Sequence, residues 1–495
     1  SGPESFTPDT NYLLGEAPEV KNFFVCCGFN SIGLASAGGA GKVTAEWMMN
    51  GGTNEDLFSL DITRFEKFHS ETKFITERVT ETLGNLYAMH WPFKQLLTSR
   101  NQKLLPYHDE LKAKGACFGQ NGGFERPMWY ALSGSKPEYE YSYEYQNWYD
   151  SAKHETMHAR KDVAFFELTP FSKFELEGEK AHSSLQYLCA NNVSDVPGKT
   201  TYTQMLNQYG GIEADLTVTC IDKNVYRVIS GSAVRTHDKH HILSHLDKSI
   251  SFSDITDDYA CFGIFGPKSR KLLEELIGNE FESSSFPFGS GKFLELNGVS
   301  IWFQRLSYVG ELGWELYVPM KNAKNIYNVI NETGTSYQLV HAGAHAMDIM
   351  RMEKKYLHWG HDISPEENPF EAGLGFAVSL EKDFDFIGKK ALLKIKKQQT
   401  DKKLILLTLE ESEPGKPLLL HDEPIYLDGK IIGETTSGNY SFNYNKNMSI
   451  GYINTTDAVS ELQDKNLEIE VAKKKYKAKI ETQPLHDPKN ISIKS

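Results

Sequence analysis

The stretch Gly211-Ile-Glu-Ala-Asp-Leu-Thr-Val-Thr-Cys220 alternates apolar and polar residues with a period of two. That period is typical of a β-strand with one buried face. The apolar face holds Ile212, Ala214, Leu216, Val218 and Cys220, and the polar face holds Glu213, Asp215, Thr217 and Thr219. The preceding Gly210-Gly211 pair predicts a turn, so Asp215 projects from the polar face just after it. An aspartate there is a candidate catalytic group, although surface aspartates on strands are also common.

Around this strand the sequence predicts an α+β protein. Helix-like and strand-like segments alternate from about residue 151 to 385, and short β-rich segments follow the lysine-rich stretch 394–403. The front end has an apolar run at 23–27, a glycine-rich loop at 28–41 and helical composition at 42–49, as at the end of a larger α/β unit. We predict four parts: the end of a larger α/β unit (1–60), a helical connector with an acidic, tyrosine-rich surface linker (61–150), a mixed α/β domain (151–390) and a small terminal β-barrel (395–488).

Composition excludes several classes of function. The 495 residues carry a net charge of -13 without a long basic block, which disfavours nucleic acid and anionic membranes as partners. No apolar run is long enough to span a bilayer. Six scattered cysteines form neither a disulfide framework nor a zinc pattern, so we expect reduced thiols.

A second segment that could carry a binding or catalytic group is Arg305-Leu-Ser-Tyr-Val-Gly-Glu-Leu-Gly-Trp-Glu-Leu-Tyr-Val-Pro319. It places Glu311 between Gly310 and Gly313, in a turn that joins two strands. A carboxylate on a tight turn can accept paired hydrogen bonds from an amino-heterocycle such as a pterin. The alternative is a solvent-exposed hairpin tip.

Eight ordered motifs resemble the glycine-cleavage aminomethyltransferase family over residues 151–485. They are Tyr202-x-x-Met-Leu-Asn207, Gly210-Gly-Ile-Glu-Ala-Asp-Leu-Thr-Val218, Phe265-Gly-Pro267, Tyr308-Val-Gly-Glu-Leu-Gly-Trp-Glu315, Arg351-Met-Glu353, Pro369-Phe-Glu-Ala-Gly-Leu374, Phe386-Ile-Gly-Lys389 and Thr436-Ser-Gly438. The resemblance implies a tetrahydrofolate site. In it Asp215 lies beside the reactive folate nitrogen, Glu311 binds the pterin and Arg351 lies near the benzoyl-glutamate portion. Tyr308 and Asn207, within the same motifs, are predicted to bind folate too. The chain departs from the pattern at Ala214, where the family has a first acidic residue, and at Val309.

The front end resembles the mitochondrial FAD-dependent amine dehydrogenases that act on sarcosine and dimethylglycine. The matching stretches are Gly2-Pro-Glu-Ser-Phe-Thr-Pro-Asp9, Gly15-Glu-Ala-Pro18, Cys27-Gly-Phe-Asn-Ser-Ile-Gly33, Gly38-Gly39, Glu46-Trp47 and Gly123-Phe-Glu-Arg-Pro127. The resemblance implies FAD contacts at Gly28, Asn30, Ser31, Ile32 and Gly33, where a glycine-rich turn before a helix can face the negative edge of a flavin. It also implies that the dinucleotide fingerprint and the covalent flavin attachment lie upstream, so that this part alone lacks dehydrogenase activity.

Together the resemblances imply oxidative demethylation of an N-methyl amine, sarcosine in preference to dimethylglycine, with transfer of the one-carbon unit to tetrahydrofolate. They imply electron-transfer flavoprotein as electron acceptor and the mitochondrial matrix as location. A non-catalytic alternative stays open, because the regulatory subunit of pyruvate dehydrogenase phosphatase shares this architecture. A stand-alone aminomethyltransferase is the other alternative.

Two histidine groups are weaker candidates. His237, His241 and His245 would share one face of a helix and could ligate a metal, but the pattern lacks a cysteine or a carboxylate in register, so we predict no metal site. His358 and His361 flank Asp362 as hydrogen-bonded structural groups, near the folate site if the resemblance holds.

Overall fold

A computed structural model describes residues 3–398, 400–463 and 465–495. Its front part contains two small antiparallel sheets and four helices. The elements are β1 (Leu13–Glu16), β2 (Phe24–Cys27), α1 (Gly33–Asn50), α2 (Thr72–Asn85), α3 (His108–Ala113), β3 (Ala116–Asn121), β4 (Phe124–Tyr130) and α4 (Tyr149–Lys161), with short 3₁₀ turns at Ile62–Arg64 and Lys67–Ser70.

The central part contains a five-stranded and a six-stranded sheet. Its elements are β5 (Ala164–Glu167), β6 (Ser172–Glu177), α5 (Ala181–Leu188), β7 (Thr200–Leu206), β8 (Ile212–Asp222), β9 (Val225–Ser230), α6 (Arg235–His245), β10 (Ser251–Asp254), β11 (Tyr259–Phe265), α7 (Ser269–Ile277), β12 (Ser290–Leu296), β13 (Val299–Arg305), β14 (Gly313–Pro319), α8 (Ala323–Gly334), β15 (Val340–Ala342) and α9 (Ala344–Glu353), with 3₁₀ turns at Met320–Asn322, Thr335–Tyr337 and Gly375–Ala377. The strand orders are β10-β6-β9-β8-β7 and β12-β13-β14-β11-β5-β15.

The last part is a closed six-stranded barrel, which confirms the predicted terminal β-barrel. It follows α10 (Lys389–Ile395) and consists of β16 (Lys402–Leu409), β17 (Pro424–Leu427), β18 (Lys430–Ser441), β19 (Lys446–Asn454), β20 (Leu467–Val471) and β21 (Lys474–Glu481), with a 3₁₀ turn at Val459–Leu462 and a final helix α11 (Ile491–Lys494). Pairing of β16 with β21 closes the barrel. A closed barrel has no free strand edge, and its inward-facing side chains form a core of their own.

Strand β8 confirms the predicted alternation. Ala214, Leu216 and Val218 are buried with the apolar faces of α5 and α6 in one core cluster. Glu213 and Asp215, which point to the opposite face, are half-buried. The strand therefore presents its carboxylates toward the rest of the domain and away from this apolar core.

Three local predictions for the front part need correction. The glycine-rich stretch is not a loop up to residue 41, because α1 already begins at Gly33. The connector is less helical than predicted, since 86–107 contain no regular helix. The acidic segment 137–145 does lack regular structure, but Tyr139 and Tyr141 are half-buried: the Tyr139 hydroxyl lies 2.8 Å from His345 Nε2, and that of Tyr141 accepts a hydrogen bond from the Gln95 amide.

Candidate functional site

Asp215 lies on β8, next to the edge strand β7 of the five-stranded sheet, and is held by its neighbours on β7. Gln204 is its register partner and donates a hydrogen bond from Nε2 to Oδ1 at 2.9 Å, and Tyr202 also donates to the carboxylate. Burial raises the pKa of Asp215 to about 6, and the hydrogen bonds from Gln204 and Tyr202 oppose that rise. A carboxyl with such a pKa can both accept and release a proton near neutral pH.

Tyr308 belongs to the same site. It lies in the turn between β13 and β14, and its hydroxyl donates to the carbonyl of Leu357 at 2.9 Å. Burial raises the pKa of Tyr308, and the carboxylates of Asp348, Asp362 and Asp215 add to the rise while Arg351 opposes it. The phenol therefore lies within electrostatic reach of Asp215, and its predicted contact with folate stays a prediction.

Glu311 lies in the predicted turn, but it is not at an exposed tip. It is 2% exposed, and its Oε1 lies 3.0 Å from Arg160 Nη1 of α4 and 2.8 Å from His486 Nε2. Arg160 also pairs with Glu353 at 2.6 Å. These contacts join the turn to α4, α9 and the segment after the barrel, which is a structural use of the carboxylate.

Arg351 is also committed to internal partners. Its Nε pairs with Asp348 at 2.8 Å, and its Nη1 pairs with Asp362 at 2.5 Å. Nη1 also donates to the carbonyl of Tyr356 at 3.0 Å, and Nη2 donates to Ser437 Oγ of the barrel at 2.8 Å. These bonds use four of its five N–H donors. Arg351 thus fastens α9 to strand β18, and it has little capacity left for a ligand.

Asn207 shapes the turn between β7 and β8. Its Oδ1 accepts hydrogen bonds from the amides of Tyr209 at 3.0 Å and Gly211 at 2.9 Å. A Cβ on Gly211 would lie 1.9 Å from the carbonyl oxygen of Pro365, so only glycine fits there. Asn207 therefore positions the strand that carries Asp215, and its predicted contact with folate stays a prediction.

The sequence interpretation missed two polar residues that lie among apolar ones. Glu315 on β14 lies between buried Trp314 and Leu316, so its side chain points to the other face of the sheet, where Tyr317 donates to its Oε2 at 2.7 Å. Burial raises the pKa of Glu315. Arg126 on β4 is buried within the segment Phe124-Glu-Arg-Pro-Met-Trp-Tyr130. Two features of the sequence could have revealed these residues. Glu315 alternates with apolar residues along a strand, and Arg126 is an isolated charge in an apolar strand.

The structure places the first group of histidine candidates on α6 and the second after α9. His237 is on α6 as predicted, but two carboxylates flank it, Asp238 at 3.0 Å and Glu213 at 3.4 Å. Within residues 3–398, 400–463 and 465–495, no cluster of three or more His, Cys, Asp or Glu has metal-binding geometry. His358 and His361 are exposed, with ring centroids 4.6 Å apart.

The predicted flavin segment forms a strained turn into α1. Gly28, Asn30 and Ser31 have φ values of 69°, 47° and 67°, and Asn30 is fixed by hydrogen bonds to the Thr7 amide at 2.8 Å and to the Gly28 carbonyl at 2.6 Å. Ile32, at the N-cap, supplies no side-chain hydrogen bond to the helix. The first N–H groups of α1 are thus available for an anionic group, so the segment fits the predicted contact with the negative edge of a flavin.

Three family models match the chain: the FAD dependent oxidoreductase central domain over residues 50–104, the GCVT N-terminal domain over 107–382 and the glycine cleavage T-protein C-terminal barrel domain over 402–487. Among the described residues, no helix combines the length and apolar composition needed to cross a membrane.

Curated relatives match over nearly the whole chain. The 4-methylaminobutanoate oxidase (formaldehyde-forming) of Paenarthrobacter nicotinovorans is 36% identical over 100% of this chain and 59% of its own length. Human mitochondrial sarcosine dehydrogenase is 34% identical over 91% of this chain and 53% of its own length. The mouse mitochondrial pyruvate dehydrogenase phosphatase regulatory subunit is 33% identical over 98% of this chain and 57% of its own length. The chain thus spans only a little over half the length of these relatives.

A solved structure supports the fold. The glycine cleavage system aminomethyltransferase T of Bartonella henselae superposes with a TM-score of 0.66 at 20% identity, covering 78% of this chain and 99% of that one. At this identity the likeness concerns the arrangement of the two sheets and the barrel.

Proposed function

Because this chain belongs to the family built on the GCVT N-terminal domain, here joined to part of an FAD dependent oxidoreductase central domain, we propose that it binds a reduced folate beside Asp215. There it captures the one-carbon unit released from an N-methyl amine. The observation that carries the proposal is the half-buried Asp215 carboxyl, with a pKa raised to about 6, beside Tyr202 and Tyr308.

Asp215 suits this reaction for electrostatic reasons. Its ionised form would stabilise the positive charge of an iminium, and its proton could be exchanged with a folate nitrogen as the one-carbon unit is transferred. Gln204 and Tyr202 fix the carboxyl geometrically, so the group needs little reorganisation when substrate binds. FAD, held in part by Gly28 to Gly33, would accept the hydride equivalent of the amine.

Within the same proposal, Glu315 takes the role of pterin ligand that the sequence interpretation gave to Glu311. Glu311 is engaged by Arg160 and His486, whereas Glu315 points away from the core that holds Trp314 and Leu316, and within the described part of the chain its one side-chain hydrogen bond comes from the Tyr317 hydroxyl to Oε2. A carboxylate with remaining acceptor capacity can bind the neighbouring N–H donors of a pterin edge.

For the amine we propose sarcosine, with electron-transfer flavoprotein as electron acceptor and the mitochondrial matrix as location. Similarity to mitochondrial sarcosine dehydrogenase supports this choice. Dimethylglycine is the alternative amine, supported by similarity to mitochondrial dimethylglycine dehydrogenase. Kinetics with the two amines on the flavin-loaded protein would separate them by their kcat/KM ratio.

A second function is a non-catalytic regulatory subunit, which the 33% identity to the phosphatase regulatory subunit favours. Flavin-loaded protein that sarcosine and dimethylglycine do not bleach, and that binds no folate by calorimetry, would support this alternative and overturn the enzyme proposal.

The folate role is tested by Asp215→Asn in the flavin-loaded protein supplied with sarcosine, tetrahydrofolate and an electron acceptor. We expect the 5,10-methylenetetrahydrofolate share of the product to fall by about 100-fold or more and the formaldehyde share to rise, because the proton-transfer group is lost. Asp222→Asn, at the exposed end of the same strand, is the matched control. An unchanged product ratio in Asp215→Asn would refute the role of this residue.

A further inference from the structure

Arg126 is a buried charged residue to which the proposed function gives no role. It lies on β4 and is 9% exposed. Its one side-chain hydrogen bond among the described residues runs from Nη2 to the sulfur of Met347, at 3.7 Å, and none of the ion pairs found there includes it. A sulfur is a weak acceptor, so nearly all of the five N–H donors are left without a strong partner.

Such an arrangement is unfavourable in the free protein. A buried guanidinium without strong hydrogen-bond acceptors destabilises the fold, and structural arginines at similar depth avoid this by bonding to carboxylate, carbonyl or amide oxygens, as Arg351 does with Asp348 and Asp362. Burial lowers the pKa of Arg126 to about 10, so the side chain keeps its charge at neutral pH. No described residue forms an ion pair with the Arg126 guanidinium, so its positive charge is not neutralised by contact there.

The position of Arg126 relates it to the Asp215 site. Met347 lies in the first turn of α9, next to Asp348, and packs in the same apolar cluster as Tyr308. Glu167, Asp348 and Tyr308 lie within electrostatic reach of the guanidinium, although among the described residues neither carboxylate is in contact with it. Tyr308 is within reach of Asp215 as well. Tyr308 is therefore a common neighbour of the proposed reaction centre and of the cluster that Arg126 contacts through Met347.

We propose that Arg126 binds a carboxylate of the folate glutamate tail, an inference that rests on the proposed folate function. The guanidinium presents a planar pair of N–H donors that matches a carboxylate in a bidentate geometry. The pterin ring is a poorer partner, since its amino edge donates hydrogen bonds and its neutral carbonyl leaves the charge uncompensated. Arg126 thus takes the tail role that the sequence interpretation gave to Arg351, whose donors are occupied.

The test is calorimetric titration of the 495-residue chain and its Arg126→Gln variant with 5-formyltetrahydrofolate and with its diamide, in which both glutamate carboxylates are converted to neutral carboxamides. We expect Arg126→Gln to bind the first ligand about 10- to 100-fold more weakly and the second unchanged, because only the first offers the carboxylates. Equal binding of 5-formyltetrahydrofolate by both proteins, or an equal loss for both ligands, would overturn the assignment. If the unaltered chain binds neither ligand, the folate function itself fails.

A third titration covers the other carboxylate source, the amino-acid substrate. Loss of N-methylglycine binding in Arg126→Gln with 5-formyltetrahydrofolate unaffected would contradict the tail assignment.

Stability distinguishes ligand binding from a structural role. Arg126→Met replaces the cation with an apolar chain that packs against Met347, so its melting temperature should equal or exceed that of the unaltered chain, with the same loss of 5-formyltetrahydrofolate binding. Arg78→Met is the control: Arg78 is equally buried but donates to the Thr98 carbonyl at 2.6 Å and to Gln120 Oε1 at 2.9 Å. The control should melt at a lower temperature with folate affinity unchanged. A melting temperature of Arg126→Met lowered as much as that of the control would overturn the proposal.

Discussion

Two buried polar regions of this protein differ in how completely their charges are paired. At the seam between α9 and the barrel, Arg351 uses four donors on Asp348, Asp362, Ser437 and a carbonyl. Among the residues that the structure describes, the Asp215 carboxyl accepts from Gln204 and Tyr202 but has no cation in contact, and Arg126 has no anion in contact. A closed network holds the fold together, whereas groups left incompletely paired inside a domain are available for a ligand.

The largest expected change in the free energy of unfolding follows from removing Arg351, the cation shared by Asp348 and Asp362. Arg351→Leu leaves the carboxylates of Asp348 and Asp362 buried without their cation, and we expect the free energy of unfolding to fall by about 3–5 kcal/mol. Urea denaturation followed by tryptophan fluorescence measures the change. A loss below about 1 kcal/mol would mean that the seam is not a structural network, and the contrast between the two regions would fail.

A smaller change in the free energy of unfolding is expected at Glu311, which pairs with Arg160. Glu311→Gln keeps the shape of the side chain but removes one charge beside Arg160, which retains Glu353, so we expect a loss of about 1–3 kcal/mol. Affinity for 5-formyltetrahydrofolate should change less than twofold. A tenfold loss of affinity at unchanged stability would return Glu311 to the pterin site and remove Glu315 from it.

The smallest expected change in the free energy of unfolding is at Asp215, and here the substitution stabilises the protein. The folded-state pKa of Asp215 is raised from 3.8 to about 6, so its contribution to stability is complete below pH 4 and is lost as pH rises through 6. Asp215→Asn should therefore be more stable than the unaltered chain at pH 8, by about 1–2 kcal/mol after allowance for partial exposure, and equally stable at pH 4. Denaturation curves at both pH values test this. A variant less stable at pH 8 would show that Asp215 serves the fold.

The sequence predicted well wherever a local period determines the structure. The alternation in 211–220 is sufficient to place Asp215 on the polar face of β8, since successive side chains of a strand point to opposite faces. The short β-rich segments after residue 400 likewise indicated the barrel that the structure contains. At α1 local reasoning failed, because Gly38, Gly39 and Gly41 suggested a loop although a helix tolerates them at a modest loss of stability.

What the sequence determined by itself was the strand carrying Asp215, the turn carrying Glu311 and the order of the modules. Only the tertiary structure decided which charged side chains are paired. Glu311 meets His486 across 175 positions of the chain, and Arg351 meets Ser437 across 86. Whether a buried charge is neutralised depends on such distant partners, and sequence spacing does not reveal them. The same dependence separates Arg351, which the fold requires, from Arg126, which is left to bind an anion.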